Sequence, residues 1–208
     1  MPSFPLPDFR VNLLWNDGQH QYLFHGGPLE HPDQCREASE AIGFAIATWA
    51  RMETHIDALI FKLNRKEFYP NADKITGRHP SFFPDKLDLM KKLLRWNPVV
   101  KPLADEGTKI AGRLKELADT RNVLAHSVLE KIETQNRSMM LTFNSFQAKK
   151  DGDVKISLHR ISLRQLGGYA GELNKLNVRL CGLTSQVFSE QTTQQLTKAA
   201  EQTNPETR

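Results

Sequence analysis

The sequence predicts an all-α fold: an antiparallel four-helix bundle with a β-hairpin before the last helix and an extended N-terminal arm. Three observations carry this. Apolar residues recur at spacings of three and four through four long segments, the period of helices that bury one face. Within that region the period drops to two in one place, about residues 139–158. The opening stretch follows neither period and is rich in proline, glycine and histidine. The chain therefore divides into an arm at 1–36, a helical bundle at 37–190 and a polar C-terminal tail at 191–208.

In the arm, Phe9 to Trp15 reads as a short strand, Asn16-Asp17-Gly18 as a turn and Gln21 to Phe24 as the returning strand. Such an arm is expected to pack over the main domain. The first helix carries Ile42, Ile46, Trp49, Met52, Ile56, Leu59, Ile60 and Leu63, and Tyr69-Pro70-Asn71 interrupts it. The second starts after Ser81, carries Leu87, Leu89, Met90, Leu93 and Leu94, and stops at Asn97-Pro98, because proline disfavours helical geometry in the residue before it. The third begins around Pro102, where a proline is tolerated in a first turn, and its stripe is predicted to run to about Ile132. Met139 to Phe146 and Val154 to Leu158 alternate around Asp151-Gly152, a hairpin signal. Ser162 looks like the cap of the fourth helix, which carries Leu163, Leu166, Tyr169, Leu173, Leu176, Leu180, Leu183 and Val187. The Gln-, Thr- and Glu-rich tail reads as a frayed helix or disorder.

The composition is that of a soluble globular protein, with a formal net charge of +4 that is compatible with a nucleic-acid partner without requiring one. Cys35 and Cys181 form no CxxC pair, so a disulfide framework is not expected and a reducing cytoplasm is. No basic start followed by an apolar core suggests a secretory signal, and no apolar run suggests a membrane span. The histidines form no short ligand motif with cysteines or carboxylates, and no phosphate-cradling glycine loop is present, so neither metal nor cofactor is expected. Gly167-Gly168 falls within the fourth helix, where it is expected to let helices approach closely.

Two charges interrupt apolar stripes. Glu53 lies four residues after Trp49, and Arg121 four after Leu117, so both should face inward and pair. One outcome is a salt bridge that fixes the register of two helices. The other is that Glu53 orients Arg121 while the guanidinium faces a cleft. Arg121 opens the run Arg121-Asn122-Val123-Leu124-Ala125-His126. Its planar cation fits phosphate oxygens, and histidine exchanges its proton near neutral pH, which are the two groups that metal-free RNA cleavage needs. Positions five apart on a helix point roughly 140° apart, whereas Asn122 and His126 share a face. Arg121 and His126 thus meet only if the arginine curls round, the helix distorts, or a second copy across a two-fold supplies one of them.

At these residues the chain resembles the HEPN superfamily (higher eukaryotes and prokaryotes nucleotide-binding domains), whose mark is Arg, four to six residues, then His, with a polar residue after the Arg. Arg121, Asn122 and His126 fit that pattern, and Ala47 to Glu53 resembles the Trp- and Glu-bearing helix of bacterial members. The resemblance covers about Glu37 to Glu190. It implies a homodimer whose interface forms a metal-independent ribonuclease site of the defence or toxin type, with RNA as substrate and an antitoxin protein as a partner. It implies His126 as general acid or base, Arg121 as the group stabilising the phosphorane, and Asn122 as a hydrogen-bonding companion. Other members have lost activity, so the alternative is an inactive dimerisation or binding module in which Arg121 pairs structurally with Glu53.

Overall fold

The computed structural model describes residues 14–16, 21–23, 32–65, 68, 80–135, 138–148 and 154–203. Among them, five helices and a three-stranded antiparallel sheet make an α+β fold, which corrects the all-α four-helix-bundle prediction. In chain order the elements are β1 (Leu14–Asn16), β2 (Gln21–Leu23), α1 (Pro32–Leu63), α2 (Phe83–Trp96), a 3-10 turn (Lys101–Leu103), α3 (Ala104–His126), β3 (Val128–Gln135), β4 (Ser138–Ala148), β5 (Val154–Ser162), α4 (Leu163–Val187) and α5 (Glu190–Thr203).

The correction turns on β3. Val128 lies four residues after Leu124 and Ile132 four after Val128, so a helical stripe seemed to continue. Instead α3 ends at His126, where Ser127 takes up extended backbone and its N–H closes the last turn on the Val123 carbonyl at 3.0 Å. The β-branched Val128, Ile132 and Thr134 suit a pleated surface, and the segment pairs along β4 from Val128↔Asn144 to Gln135↔Ser138. The expected hairpin is present as β4 and β5, paired from Met140↔Ser162 to Ala148↔Val154, and β3 extends it to the order β3-β4-β5. Its turn at Asp151-Gly152 lies outside the described residues. In the arm, β1 and β2 pair antiparallel, with Asn16 inside β1 rather than in the turn. The packing expected of that arm also lies outside the described residues.

The core fills the space between α1, α2, α3 and α4, with α1 lying along α4, α2 against α1 and α3, and β4 closing one side against α3 and α4. Met52, Ile56, Leu59, Ile60, Met90, Leu93, Leu94, Ile110, Leu114, Leu173 and Leu180 are fully buried there, and Leu141 and Phe143 bring the sheet's inner face into it. Burying side chains of this size is worth about 1.5–3 kcal/mol each before entropy is counted. Asn97 ends α2 as the sequence predicts. Its Oδ1 accepts from the Val99 N–H at 3.1 Å, a local turn that a helix cannot continue. Ser162 is both the last residue of β5 and the cap of α4. Its Oγ accepts from the Gln165 N–H at 3.1 Å while the Gln165 side chain accepts from the Ser162 N–H at 2.8 Å, a reciprocal capping box.

Two further expectations change. The polar tail is helical through Thr203 as α5, anchored by a fully buried Leu196 and by Lys62 of α1, which donates to Thr193 Oγ1 at 2.6 Å. Gly167 and Gly168 do not mediate close packing: a Cβ at either would meet open space. The close approach is at Gly107, where a Cβ would meet Leu94 Cδ1 and the end of that side chain would have to turn aside. Among the described residues no helix is long and apolar enough to cross a membrane.

Candidate functional site

The last two turns of α3 gather the residues that the sequence singled out. Arg121 does reach His126 within one copy: its Nη1 lies 3.1 Å from His126 Nε2. The long side chain curls along the helix end and spans the angle that backbone geometry puts between them. A second copy is therefore not needed to bring the two together. Arginine can only donate, so Nε2 accepts, and while this contact holds the imidazole carries its proton on Nδ1. The same Nη1 donates to Asn122 Oδ1 at 3.2 Å.

Behind this pair stands α1. Glu53 Oε1 lies 3.9 Å from Arg121 Nη2, and both side chains are half-buried, 27% exposed for the arginine and 29% for the glutamate. The expectation that both face inward thus holds in part: they pair, at the long limit of an ion pair, on the rim of the core. Exposed pairs of this kind contribute about 0.2–1 kcal/mol. Glu53 is itself held, because the Trp49 indole N–H donates to Oε1 at 3.1 Å from one turn earlier on the same helix. Trp49 is fixed in turn by burial and by the tilted Phe83 ring, 4.9 Å away between centroids. Tyr169 of α4 completes the rear wall. Its hydroxyl donates to the Leu117 carbonyl at 3.4 Å, and burial pushes that hydroxyl well above its usual pKa while the Arg121 charge opposes the shift.

Asn122 and His126 are exposed, so the guanidinium and the imidazole open to solvent on one side and rest on Glu53, Trp49 and Tyr169 on the other. That arrangement presents a cation beside a proton acceptor at an exposed helix end. Sequence reasoning missed Trp49 and Tyr169 as supports of this site, along with Ser127, whose Oγ is buried without a hydrogen-bond partner next to His126. The spacing of four between Trp49 and Glu53 was the available signal for the first. Nothing local marks the other two.

The remaining described histidines lie elsewhere. His55 Nε2 is 3.2 Å from Cys181 Sγ between α1 and α4, and His159 Nε2 is 3.0 Å from Ser145 Oγ on the inner side of the sheet. Among the described residues no three His, Cys, Asp or Glu side chains are grouped to hold a metal ion. Set against known proteins, the chain matches no protein-family model, no curated protein and no solved structure.

Proposed function

We propose that the chain is a HEPN-like endoribonuclease that needs no metal, with Arg121 and His126 as its catalytic residues. The observation that carries the proposal is the 3.1 Å contact between Arg121 Nη1 and His126 Nε2 at an exposed helix end, with Asn122 beside them. An RNA phosphodiester would take the guanidinium as its ligand, freeing Nε2. His126 then removes the proton of the ribose 2′-hydroxyl as that oxygen attacks phosphorus. Arg121 stabilises the charge that builds on the phosphorane oxygens. The 5′-oxygen departs with the proton returned by the imidazolium, leaving a 2′,3′-cyclic phosphate. Glu53, tied by Trp49, keeps the guanidinium at this edge of the core rather than free in solvent.

The Glu53–Arg121 pair favours a second reading, in which Arg121 only joins α1 to α3 and the domain is an inactive binding module. RNA cleavage in EDTA by wild type, Arg121→Ala and His126→Ala separates the two. The ribonuclease reading expects cleavage by wild type, loss in both variants and unchanged melting temperatures. Cleavage that persists in both variants, or no cleavage together with a sharp drop in the melting temperature of Arg121→Ala, would overturn it.

A further inference from the structure

α1 and α4 run side by side in the same direction, with His55 level with Cys181 and Lys62 with Phe188. His55 lies two residues on from Glu53, about 200° round the helix. The contact between His55 and Cys181 is therefore on the side of α1 away from Arg121, and the ribonuclease chemistry makes no use of it.

Three groups meet at that seam. His55 Nε2 lies 3.2 Å from Cys181 Sγ, so thiol and imidazole share a proton. Asn177 precedes Cys181 by one turn of α4, a spacing that puts the two side chains on one face. Its Oδ1 lies 4.0 Å from Sγ, which aims the amide at the sulfur. Asn177 is only 6% exposed, yet its Nδ2 donates to no group among the described residues. A seam that needed only packing would be met by apolar side chains, as it is at Leu59, one turn on from His55, and at Leu180, next to Cys181, both fully buried. Instead it holds a nucleophile, a proton acceptor and an unused amide donor.

Access separates this cysteine from an inert core thiol. Cys181 and His55 are both partly exposed. Gly182 follows Cys181 in the open, where even a Cβ would meet nothing within 4 Å. A thiol becomes reactive through a basic neighbour and an approach from solvent, and Cys181 has both. The approach is narrow, since each group remains part-buried between packed helices. It admits a small neutral molecule rather than an extended substrate.

We infer that Cys181 is an oxidation site for hydrogen peroxide, with His55 as the base that takes the thiol proton and Asn177 as the donor that holds the product. As Sγ attacks one peroxide oxygen, its proton passes to Nε2. An S–O bond forms, the O–O bond breaks, and the departing hydroxide recovers a proton from the imidazolium and leaves as water. Sulfur is oxidised to the sulfenic acid and the peroxide is reduced. Asn177 Nδ2, idle beside the thiol, donates to the new oxygen. Cys35, the other cysteine of the chain, cannot resolve this product. It stands twenty residues before His55 on α1, roughly 30 Å along the helix, whereas a disulfide needs Cα atoms within about 7 Å. The sulfenic acid therefore persists until a small external thiol condenses with it, releasing water and leaving a mixed disulfide that a further thiol reverses. This site stands apart from the ribonuclease reading, since it is detected by mass.

The test is oxidation of the full chain by hydrogen peroxide, with dimedone to trap sulfenic acid and peptide mass spectrometry to separate Cys181 from Cys35. Cys181 is expected to carry the label. It should react at least about tenfold faster in the folded chain than in the chain unfolded by guanidinium chloride, since a positioned base contributes about 10²–10⁴-fold. His55→Gln, a polar replacement at a part-exposed position, should remove that advantage while circular dichroism stays unchanged. Asn177→Ala should still form the sulfenic acid and lose it sooner to the sulfinic acid, because the new oxygen then has no donor. Equal rates in folded and unfolded chains, an undiminished rate in folded His55→Gln, label on Cys35 alone, or a sulfenic acid as long-lived in Asn177→Ala as in wild type would each overturn the inference. If His55→Gln does not fold, the comparison of folded with unfolded wild type still decides.

Discussion

Arg121 and Lys62 are two cations held at the edge of the same core, and the protein treats them in opposite ways. Lys62 is 7% exposed, caged by the rings of Phe188 at 4.5 Å and Phe68 at 5.5 Å, and among the described residues its hydrogen bond is to a neutral hydroxyl. No carboxylate reaches it among the described residues. Burial accordingly holds its pKa below that of an ordinary lysine. Arg121 is more exposed and has an imidazole, an amide and a carboxylate within reach, the last at the limit of contact. A buried cation with aromatic neighbours fastens α5 to α1. A half-exposed cation with an adaptable polar set is poised for an anion. Burial and the kind of partner, rather than charge, separate the structural group from the candidate catalytic one.

The contrast can be broken most severely at His126. Alanine there is expected to lower single-turnover RNA cleavage by about 10²–10⁴-fold and leave the melting temperature unchanged, because the ring is exposed. Arg121→Ala comes next, with cleavage down about 10²–10³-fold and stability by no more than about 1 kcal/mol. A loss of several kcal/mol measured by urea unfolding would make Arg121 a structural group rather than a catalytic one. At Lys62 the expected sign is reversed. Lys62→Met keeps the length and removes a poorly solvated charge, so unfolding should require about 1 kcal/mol more than in wild type and cleavage should not change.

The pH dependence sharpens that point. The folded chain holds the Lys62 proton less tightly than the unfolded chain, whose lysine titrates near 10.4. Between the lowered value and that one the unfolded state binds more protons, so wild-type stability gains with rising pH. The advantage of Lys62→Met should therefore shrink as pH climbs toward about 10.4 in denaturant melts; a gap that widens would show that the amine is stabilised as a cation by its rings. Smallest of all is Glu53→Gln. Loosening a long ion pair is worth about 0.2–1 kcal/mol, at most about a fivefold fall in cleavage with little change in melting temperature. An effect as large as that of Arg121→Ala would mean that Glu53 does more than steady the guanidinium.

Much of this was legible in the sequence, and what was not has physical causes. The stripes of α1, α2 and α4, the stop at Asn97-Pro98, the Ser162 cap and the pairing of Glu53 with Arg121 all follow from local spacing. β3 was hidden because Leu124, Val128 and Ile132 keep a spacing of four that suits a helix, while the decision belonged to its long pairing with β4. The approach of Arg121 to His126 depends on side-chain torsions along a flexible arginine, which backbone angles do not determine. The docking of α5 rests on Leu196 and on a contact between Lys62 and Thr193, 131 residues apart, so its polar composition disguised it.

One feature of the chain path ties the candidate site to the sheet. His126 is the last residue of α3 and Val128 the first of β3, with Ser127 alone between them. Because a strand alternates its side chains with a period of two, one residue added at this joint would hand Leu129 and Ile132 to solvent and turn Lys131 and Glu133 into the helices. It would also carry His126 away from Arg121 or wind the helix on by a further residue. The joint therefore counts residues more strictly than it chooses them: substitutions at Ser127 leave site and sheet in phase, whereas a change of length there dismantles them at once.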